Sequence, residues 1–168
     1  MKRIRLFLVL AVLLWISNGA YAQNNAENPK YRIYSSFSYN HPFDNMDRYQ
    51  YGFGVYSNLD IYLNKHIAFR LDIGWNDFSG PEKEYVDDNN VVHTDHPNMS
   101  VWEFTGGFRL MGGPLYLEGR GGYFTGVNSW GVVPAVGFQV WKLDIQVGYT
   151  YTFTNQKTWG VARIGYYF

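Results

Sequence analysis

Cysteine is absent from all 168 residues, which excludes disulfides, thiol chemistry and lipid attachment through cysteine. A basic excess is also absent, because Lys and Arg number 14 and Asp and Glu number 14, so no basic patch indicates a nucleic-acid partner. Beyond residue 16 no apolar run is long enough for a transmembrane helix. The longest candidate, 131–141, is interrupted by two glycines and a proline. The sequence therefore argues against a helical membrane protein.

The first 22 residues have the features of a cleaved secretory signal peptide. Residues 2–5 carry three basic side chains, 6–16 form an apolar core, and Ala20-Tyr21-Ala22 supplies a small-x-small cleavage site. The core is too short to favour the alternative, a permanent N-terminal anchor. Cleavage removes three of the 14 basic residues and no acidic residue, which leaves 11 against 14 and a net charge of −3. We expect an exported single domain over 23–168.

Period-two alternation of apolar and polar residues recurs along this domain and predicts β-strands. Eight strands are predicted, at 31–40, 50–63, 67–75, 100–111, 115–124, 131–141, 143–152 and 159–168. Most have about 9–11 residues, the length of a tilted membrane-spanning strand. The 6 Trp, 15 Tyr and 12 Phe suit the aromatic girdles of membrane interfaces. The predicted fold is all-β, an eight-stranded antiparallel up-and-down transmembrane β-barrel.

The connections between these strands alternate in length. Those at 64–66, 112–113 and 141–142 are tight, whereas the others are longer and 76–99 is the longest. In bacterial outer-membrane barrels the short turns are periplasmic and the long loops extracellular. The tight turns also predict cross-strand partners. These are Leu59–Leu71 and Asp60–Arg70 across the first turn, Leu110–Leu115 and Phe108–Leu117 across the second, and Val140–Leu143 and Phe138–Ile145 across the third.

The charged residues decide which face of the barrel is outside. Every lysine of 23–168 lies at a strand boundary, turn or loop, whereas the strands use arginine, as a confined polar interior favours. The predicted lumenal charge network contains five residues of each sign: Arg32, Asp60, Arg70, Asp72, Glu103, Arg109, Glu118, Arg120, Asp144 and Arg163. Apolar side chains then face lipid. A catalytic or ion-conducting site is the alternative, but matched charges in a barrel filled by its side chains favour a structural network.

Three strand residues fit this interpretation poorly. Pro134 removes a backbone donor from a barrel that has no edge, which predicts a bulge or a strand end at that position. Ser35 and Ser57 fall on the predicted lipid face.

The last strand carries a recognisable signature, with Ile164, Tyr166 and Phe168 at alternate positions. In this ending and in its architecture the chain resembles the small eight-stranded outer-membrane barrels of Gram-negative bacteria, the OmpX/OmpA transmembrane-domain type. The resemblance implies a location in the outer membrane, with lipid and the barrel-assembly machinery as partners. It also implies that Ile164, Tyr166 and Phe168 form the assembly signal read by that machinery.

Few residues suggest chemistry. His93, Asp95 and His96 are weak metal-ligand candidates, since no regular element fixes their geometry and a solvated acidic loop explains them as well. His41 lies near Ser36 and Ser38, but no motif sets a nucleophile, a base and an orienting group together. We therefore predict no catalytic residue and no cofactor.

The sequence favours a non-enzymatic outer-membrane β-barrel whose loops serve surface contact, adhesion or envelope maintenance. The alternatives are a lipid-A-modifying outer-membrane enzyme and a narrow channel. Loop 76–99 is the candidate surface for an extracellular ligand, because long loops on rigid scaffolds commonly carry recognition. It combines an acidic run with aromatics expected to be exposed: Glu82, Glu84, Asp87 and Asp88, with Phe78 and Tyr85.

Overall fold

The structure is a computed structural model that describes residues 30–43, 46–86, 92–95 and 97–167. Ten β-strands follow one another along the chain. They are β1 Tyr31–Pro42, β2 Tyr51–Tyr62, β3 Ile67–Ser79, β4 Lys83–Val86, β5 Val92–Asp95, β6 Asn98–Gly112, β7 Leu115–Phe124, β8 Ser129–Val140, β9 Leu143–Thr152 and β10 Thr158–Tyr167. The 3₁₀ turn Thr125–Val127 links β7 to β8. None of the helical segments in the described ranges is long and apolar enough to cross a membrane.

Eight of the strands form one closed antiparallel barrel in the order β1-β10-β9-β8-β7-β6-β3-β2. Each strand pairs with its neighbours along the chain, apart from the separate β4–β5 hairpin, and β10 closes the barrel against β1 with Phe37 opposite Ile164. Closure leaves the barrel itself without an edge strand. The predicted fold class, an all-β, eight-stranded up-and-down barrel, is confirmed.

The pairing register fixes the tilt of the strands. If one steps from each residue to its partner on the next strand, starting at Asn40 of β1, one turn around the barrel ends at Lys30. Lys30 lies ten residues before Asn40, so the shear of the barrel is ten residues. With the usual spacings of residues and strands, this shear gives a tilt of about 40° and a backbone radius of about 8 Å. Such a barrel has room for interior side chains but not for a wide pore.

Two of the three predicted turn registers are confirmed. Asp60 lies opposite Arg70, and Val140 lies opposite Leu143. The prediction for 112–113 was wrong, because Leu110 lies opposite Leu117 rather than Leu115. The turn occupies Gly113 and Pro114, where Gly113 adopts a φ of 69° and the proline has no backbone donor to give. The shift is two residues, so every side chain keeps its predicted face.

The segment 76–99 is only partly a loop. β3 continues to Ser79, β6 begins at Asn98, and the β4–β5 hairpin occupies part of the interval. A hydrogen bond closes the segment between β3 and β6, since the Gly80 backbone N–H donates to the Pro97 carbonyl at 2.9 Å. The prediction of an exposed Phe78 was wrong, because this side chain is fully buried inside the barrel. The other aromatic of that prediction, Tyr85, lies outside the residues whose side chains the structure describes.

The structure shows where the three poorly fitting residues, Pro134, Ser35 and Ser57, lie. β8 runs through Pro134, and its register with β9 is the same before and after the proline, so the predicted bulge or strand end was wrong. The ladder to β9 is instead interrupted at Val133 and Pro134. Ser35 and Ser57 lie directly opposite each other on the outward face.

Inward glycines make room for aromatic rings on neighbouring strands. A Cβ atom on Gly74 would lie 2.1 Å from Tyr56 Cδ1, and one on Gly137 would lie 2.1 Å from Tyr116 Cζ. Both rings therefore lie flat on a neighbouring strand and leave the centre of the lumen to the longer charged side chains.

Candidate functional site

Among the described residues, nine buried charged side chains lie in the lumen, and they are nine of the ten predicted from the sequence: Asp60, Arg70, Asp72, Glu103, Arg109, Glu118, Arg120, Asp144 and Arg163. They come from six of the eight barrel strands, since β8 contributes none and β1 contributes only the tenth. That residue, Arg32, is half-buried at the short-turn mouth, with its guanidinium 5.3 Å from the Tyr62 ring centroid and 5.7 Å from that of Tyr167.

Glu118 and Asp72 are the centres of this network. Glu118 Oε2 accepts hydrogen bonds from Arg70 Nη1 and Arg109 Nε, both at 2.9 Å, and its Oε1 lies 2.6 Å from Arg120 Nε. Asp72 accepts from Arg70 Nε at 2.7 Å, from Arg163 Nη1 at 2.8 Å and from Arg120 Nη1. Each carboxylate thus serves three guanidinium groups, as the burial of so many charges requires.

A second group of contacts lies nearer the short turns. Arg109 Nη1 donates to Asp144 Oδ2 at 2.9 Å and to Asp60 Oδ2 at 3.2 Å, and Arg109 Nη2 donates to the Tyr34 hydroxyl at 3.1 Å. The Tyr167 hydroxyl lies 3.0 Å from Asp144 Oδ2. One arginine therefore holds two carboxylates together across the barrel.

The neutral polar residues of the lumen were not predicted from the sequence. Asn76 Oδ1 accepts from Ser38, Asn40 and Tyr56, and its Nδ2 donates to Glu103 Oε1 at 2.7 Å. Asn58 and Gln146 extend the network in the same way. The signal was available, because all of these residues occupy the inward set of alternate positions; the prediction considered only ionised side chains.

Apolar side chains, instead of charged ones, close the long-loop end of the lumen. Buried apolar side chains form a cluster, here called the plug, that consists of Met46, Phe78, Val101, Phe124, Val127, Val133, Trp159 and Val161. The Trp159 ring packs edge-on against Phe78 and Phe124, with centroids 5.5 and 5.7 Å apart. Met46 belongs to the β1–β2 connection, so this loop folds inward over the mouth. Ion pairs therefore fill the lumen toward the short turns, and apolar side chains fill it toward the long loops.

No catalytic pair forms from the histidine and serines noted in β1. His41 is exposed on the outward face, where its ring packs against Phe43 at 5.7 Å. Ser36 and Ser38 are buried in the lumen, and they donate to Asn58 and Asn76. The strand wall separates His41 from both hydroxyl groups.

The metal candidates stay predictions. His93 and Asp95 lie in β5, but their side chains are outside what the structure describes, as is the whole of His96. Within the described ranges, no group of three or more His, Asp or Glu side chains is placed to hold a metal ion.

Two of the three residues of the proposed assembly signal lie in the closing strand. Ile164 and Tyr166 are exposed on the outward face of β10, opposite Phe37 and Ser35 of β1. Phe168 lies outside the described residues. Ile164 and Tyr166 thus lie on the seam where the barrel closes.

The outward face is apolar over its middle and aromatic toward the long loops. Leu71, Ile73, Val136 and Val147 are exposed in the middle of their strands. Trp102, Trp130 and Tyr149 are exposed nearer the long-loop ends. An apolar band bordered by aromatic residues is the surface that a bilayer requires.

Comparison with known proteins shows the fold. No family model and no curated protein sequence matches the chain. The crystal structure of Ail, the attachment invasion locus protein of Yersinia pestis, is similar with a TM-score of 0.51 at 12% identity, covering 82% of this chain and 97% of Ail. The same values hold for Ail in complex with the heparin analogue sucrose octasulfate. A structure from the de novo design of transmembrane β-barrels gives a TM-score of 0.49 at 15% identity, covering 84% and 98%. The resemblance to the small eight-stranded outer-membrane barrels is thereby confirmed at the level of the fold.

Proposed function

We propose that the chain is a non-enzymatic outer-membrane barrel whose function lies in its long loops, in contact with surfaces outside the cell. The observation that carries this proposal is the double closure of the lumen, by the ion-pair network and by the plug. A filled interior leaves the apolar outer wall for lipid and the loops for recognition. The apolar outward band and the fold shared with Ail support the location in the outer membrane.

The charge of the longest loop indicates the kind of surface it contacts. Segment 76–99 contains six acidic residues and one lysine: Asp77, Glu82, Glu84, Asp87, Asp88 and Asp95, with Lys83. Electrostatic complementarity favours a cationic partner for such a loop. Ail was solved with a polysulfated heparin analogue, and a polyanion of that kind would be repelled here. The proposed contact is therefore with a basic protein surface.

A loop exchange tests this proposal. Replacing residues 81–96 with a short Gly-Ser turn keeps Gly80 and Pro97, whose hydrogen bond already joins the two strands. The barrel should fold as before, because the length of a loop changes its closure entropy only slowly. Cells that express this variant should lose binding to a polylysine-coated surface at low salt, whereas unchanged binding would place the function elsewhere.

A matched control replaces residues 154–156, in the β9–β10 connection, with Gly-Ser. This loop has no acidic residue, so binding should persist. Single-channel recording of the unmodified protein tests the channel alternative, and it should show no steps, because the network and the plug both lie across the path. Lipid A mass spectra from cells with and without the protein test the enzyme alternative and should be identical.

A further inference from the structure

Charged residues outside the lumen separate between the two ends of the barrel. At the short-turn end Lys30, Lys65 and Lys142 are exposed, and Arg32 lies half-buried at the mouth. In the part of this end that the structure describes, every carboxylate faces the lumen. The long-loop segments 43–50, 76–99 and 153–158 instead contain eight acidic and three basic residues. One end is therefore cationic and the other strongly anionic.

The three lysines form one rim. The Tyr62 backbone N–H donates to the Lys30 carbonyl at 2.8 Å, which places Lys30 beside the β2–β3 turn that carries Lys65. Lys142 lies in the β8–β9 turn, four strands away in a ring of eight and so on the opposite side of the barrel. The lysines thus surround the mouth at the level where the strands leave the apolar band, instead of forming one pocket.

An exposed tryptophan stands on the same rim. Trp141 is 95% exposed at the tip of the β8–β9 turn, and its φ of 53° lies in the left-handed region. Glycine or asparagine fits that conformation with less strain. A bulky side chain that strains the backbone and packs against nothing inside the barrel is explained by a contact outside it. Leu63, 61% exposed in the β2–β3 turn, repeats the pattern beside Lys65.

We propose that this rim binds anionic phospholipid headgroups in the leaflet at the short-turn end. The lysines would meet lipid phosphates, while Trp141 and Leu63 enter the interface between headgroups and acyl chains, which tryptophan favours. Lys142 Nζ lies 5.8 Å from the Tyr166 ring centroid, so its ammonium is held close to that level. An anionic polysaccharide would also meet the lysines but would gain little from the aliphatic Leu63.

This inference rests on the barrel lying in a membrane, as proposed above, and the test separates the two. The purified protein in detergent is offered equal amounts of phosphatidylglycerol and phosphatidylcholine with the same acyl chains. Native mass spectrometry then counts the lipids that stay bound. The wild type should retain phosphatidylglycerol preferentially. Each lysine removed should lower that preference about fivefold, the value expected for one basic residue near an anionic surface.

The decisive variant is Lys30→Gln with Lys65→Gln and Lys142→Gln, which should bind both lipids equally. Its matched control is Arg48→Gln with Lys83→Gln and Lys157→Gln, which removes the same charge from the opposite end and should keep the preference. Trp141→Gly should bind less lipid of both kinds while resisting unfolding at least as well as the wild type, because the backbone strain is relieved.

Several results would overturn the inference. They are equal binding of the two lipids by the wild type, the same loss in both triple variants, and undiminished lipid binding by Trp141→Gly. Lysine-dependent sedimentation with peptidoglycan sacculi, without any lipid preference, would also overturn it in favour of a polysaccharide. Failure of the wild type to insert into any bilayer would instead refute the proposed membrane location. Insertion together with equal binding of the two lipids would refute only the binding of anionic headgroups by the rim.

Discussion

Asp60 and Arg70 are directly opposite each other in the β2–β3 ladder, yet the Arg70 Nε to Asp60 Oδ1 distance is 4.0 Å and no hydrogen bond joins them. Arg70 turns instead to Asp72 and Glu118, and Asp60 turns to Arg109. Among the described residues, Asp60 Oδ1 has no hydrogen-bond partner. Cross-strand register thus brings these two residues together, while the wider network decides which groups bond.

Double-mutant cycles should reveal this difference. The pair Arg70→Gln and Asp72→Asn should show a coupling energy of about 1–3 kcal/mol, because their side chains bond directly. The pair Arg70→Gln and Asp60→Asn should couple less strongly, by about 0.5 kcal/mol, because no hydrogen bond joins the two side chains. Urea unfolding in lipid vesicles gives the free energies of unfolding for both cycles. Equal coupling in the two cycles would show that register, rather than bonding, sets the energy.

Glu118→Gln should strongly destabilise the barrel. Three guanidinium groups lose their shared carboxylate, and stranding a buried charge costs about 3–5 kcal/mol. The exposed Asp47 provides a control, since Asp47→Asn should change the free energy of unfolding by no more than about 0.5 kcal/mol. If Glu118→Gln unfolds at the urea concentration of the wild type, the network adds no stability.

Gly74→Ala should destabilise the barrel by about 1–3 kcal/mol, because the new methyl group overlaps the Tyr56 ring and forces it off its position. Gly119→Ala is the matched control, since a Cβ atom there meets nothing within 4 Å on the lipid-facing surface. Thermal unfolding of both variants in the same detergent makes the comparison. Equal losses would indicate a general effect of alanine in these strands.

Deleting Phe168 should lower the amount of folded protein in the outer membrane while secretion continues. The physical reason is that the assembly machinery must capture the C-terminal end of the chain before β10 can close against β1. Heat-dependent mobility on gels and protease resistance measure the folded fraction. Phe153→Ser removes an exposed aromatic from a long loop and should leave this fraction unchanged. Wild-type levels after the deletion would refute the assembly role.

The strand pattern predicted the barrel well, and its errors have physical causes. A slip of two residues at Gly113 and Pro114 keeps every side chain on its face, so hydrophobic alternation cannot detect it. Alternation also failed beyond Trp75, where Asp77 faces outward and Phe78 faces inward. There the outside of the barrel is polar and the plug makes the inside apolar, so the pattern inverts.

The sequence predicted which residues form the lumenal charge network, but it did not predict which of them bond to each other. Arginine confined to strands pointed to the lumen, and burial of Arg109 and Glu118 follows from strand parity alone. Which guanidinium reaches which carboxylate depends on strand tilt and on arginine rotamers, because partners such as Arg163 and Asp72 lie on strands that are not neighbours. A one-dimensional pattern carries no information on contacts across the lumen.

The plug and the network have a consequence for the order of folding. Arg163 and Trp159 arrive on β10, the last barrel strand, while their partners Asp72 and Phe78 lie on β3. Until that strand docks, Asp72 lacks one of its counter-charges and the mouth lacks its largest ring. A partly closed sheet would therefore expose charged groups that only water can solvate, which disfavours its burial in lipid. Contacts between residues so far apart in the sequence should make closure slow and cooperative. Water should leave the lumen only when β10 pairs with β1.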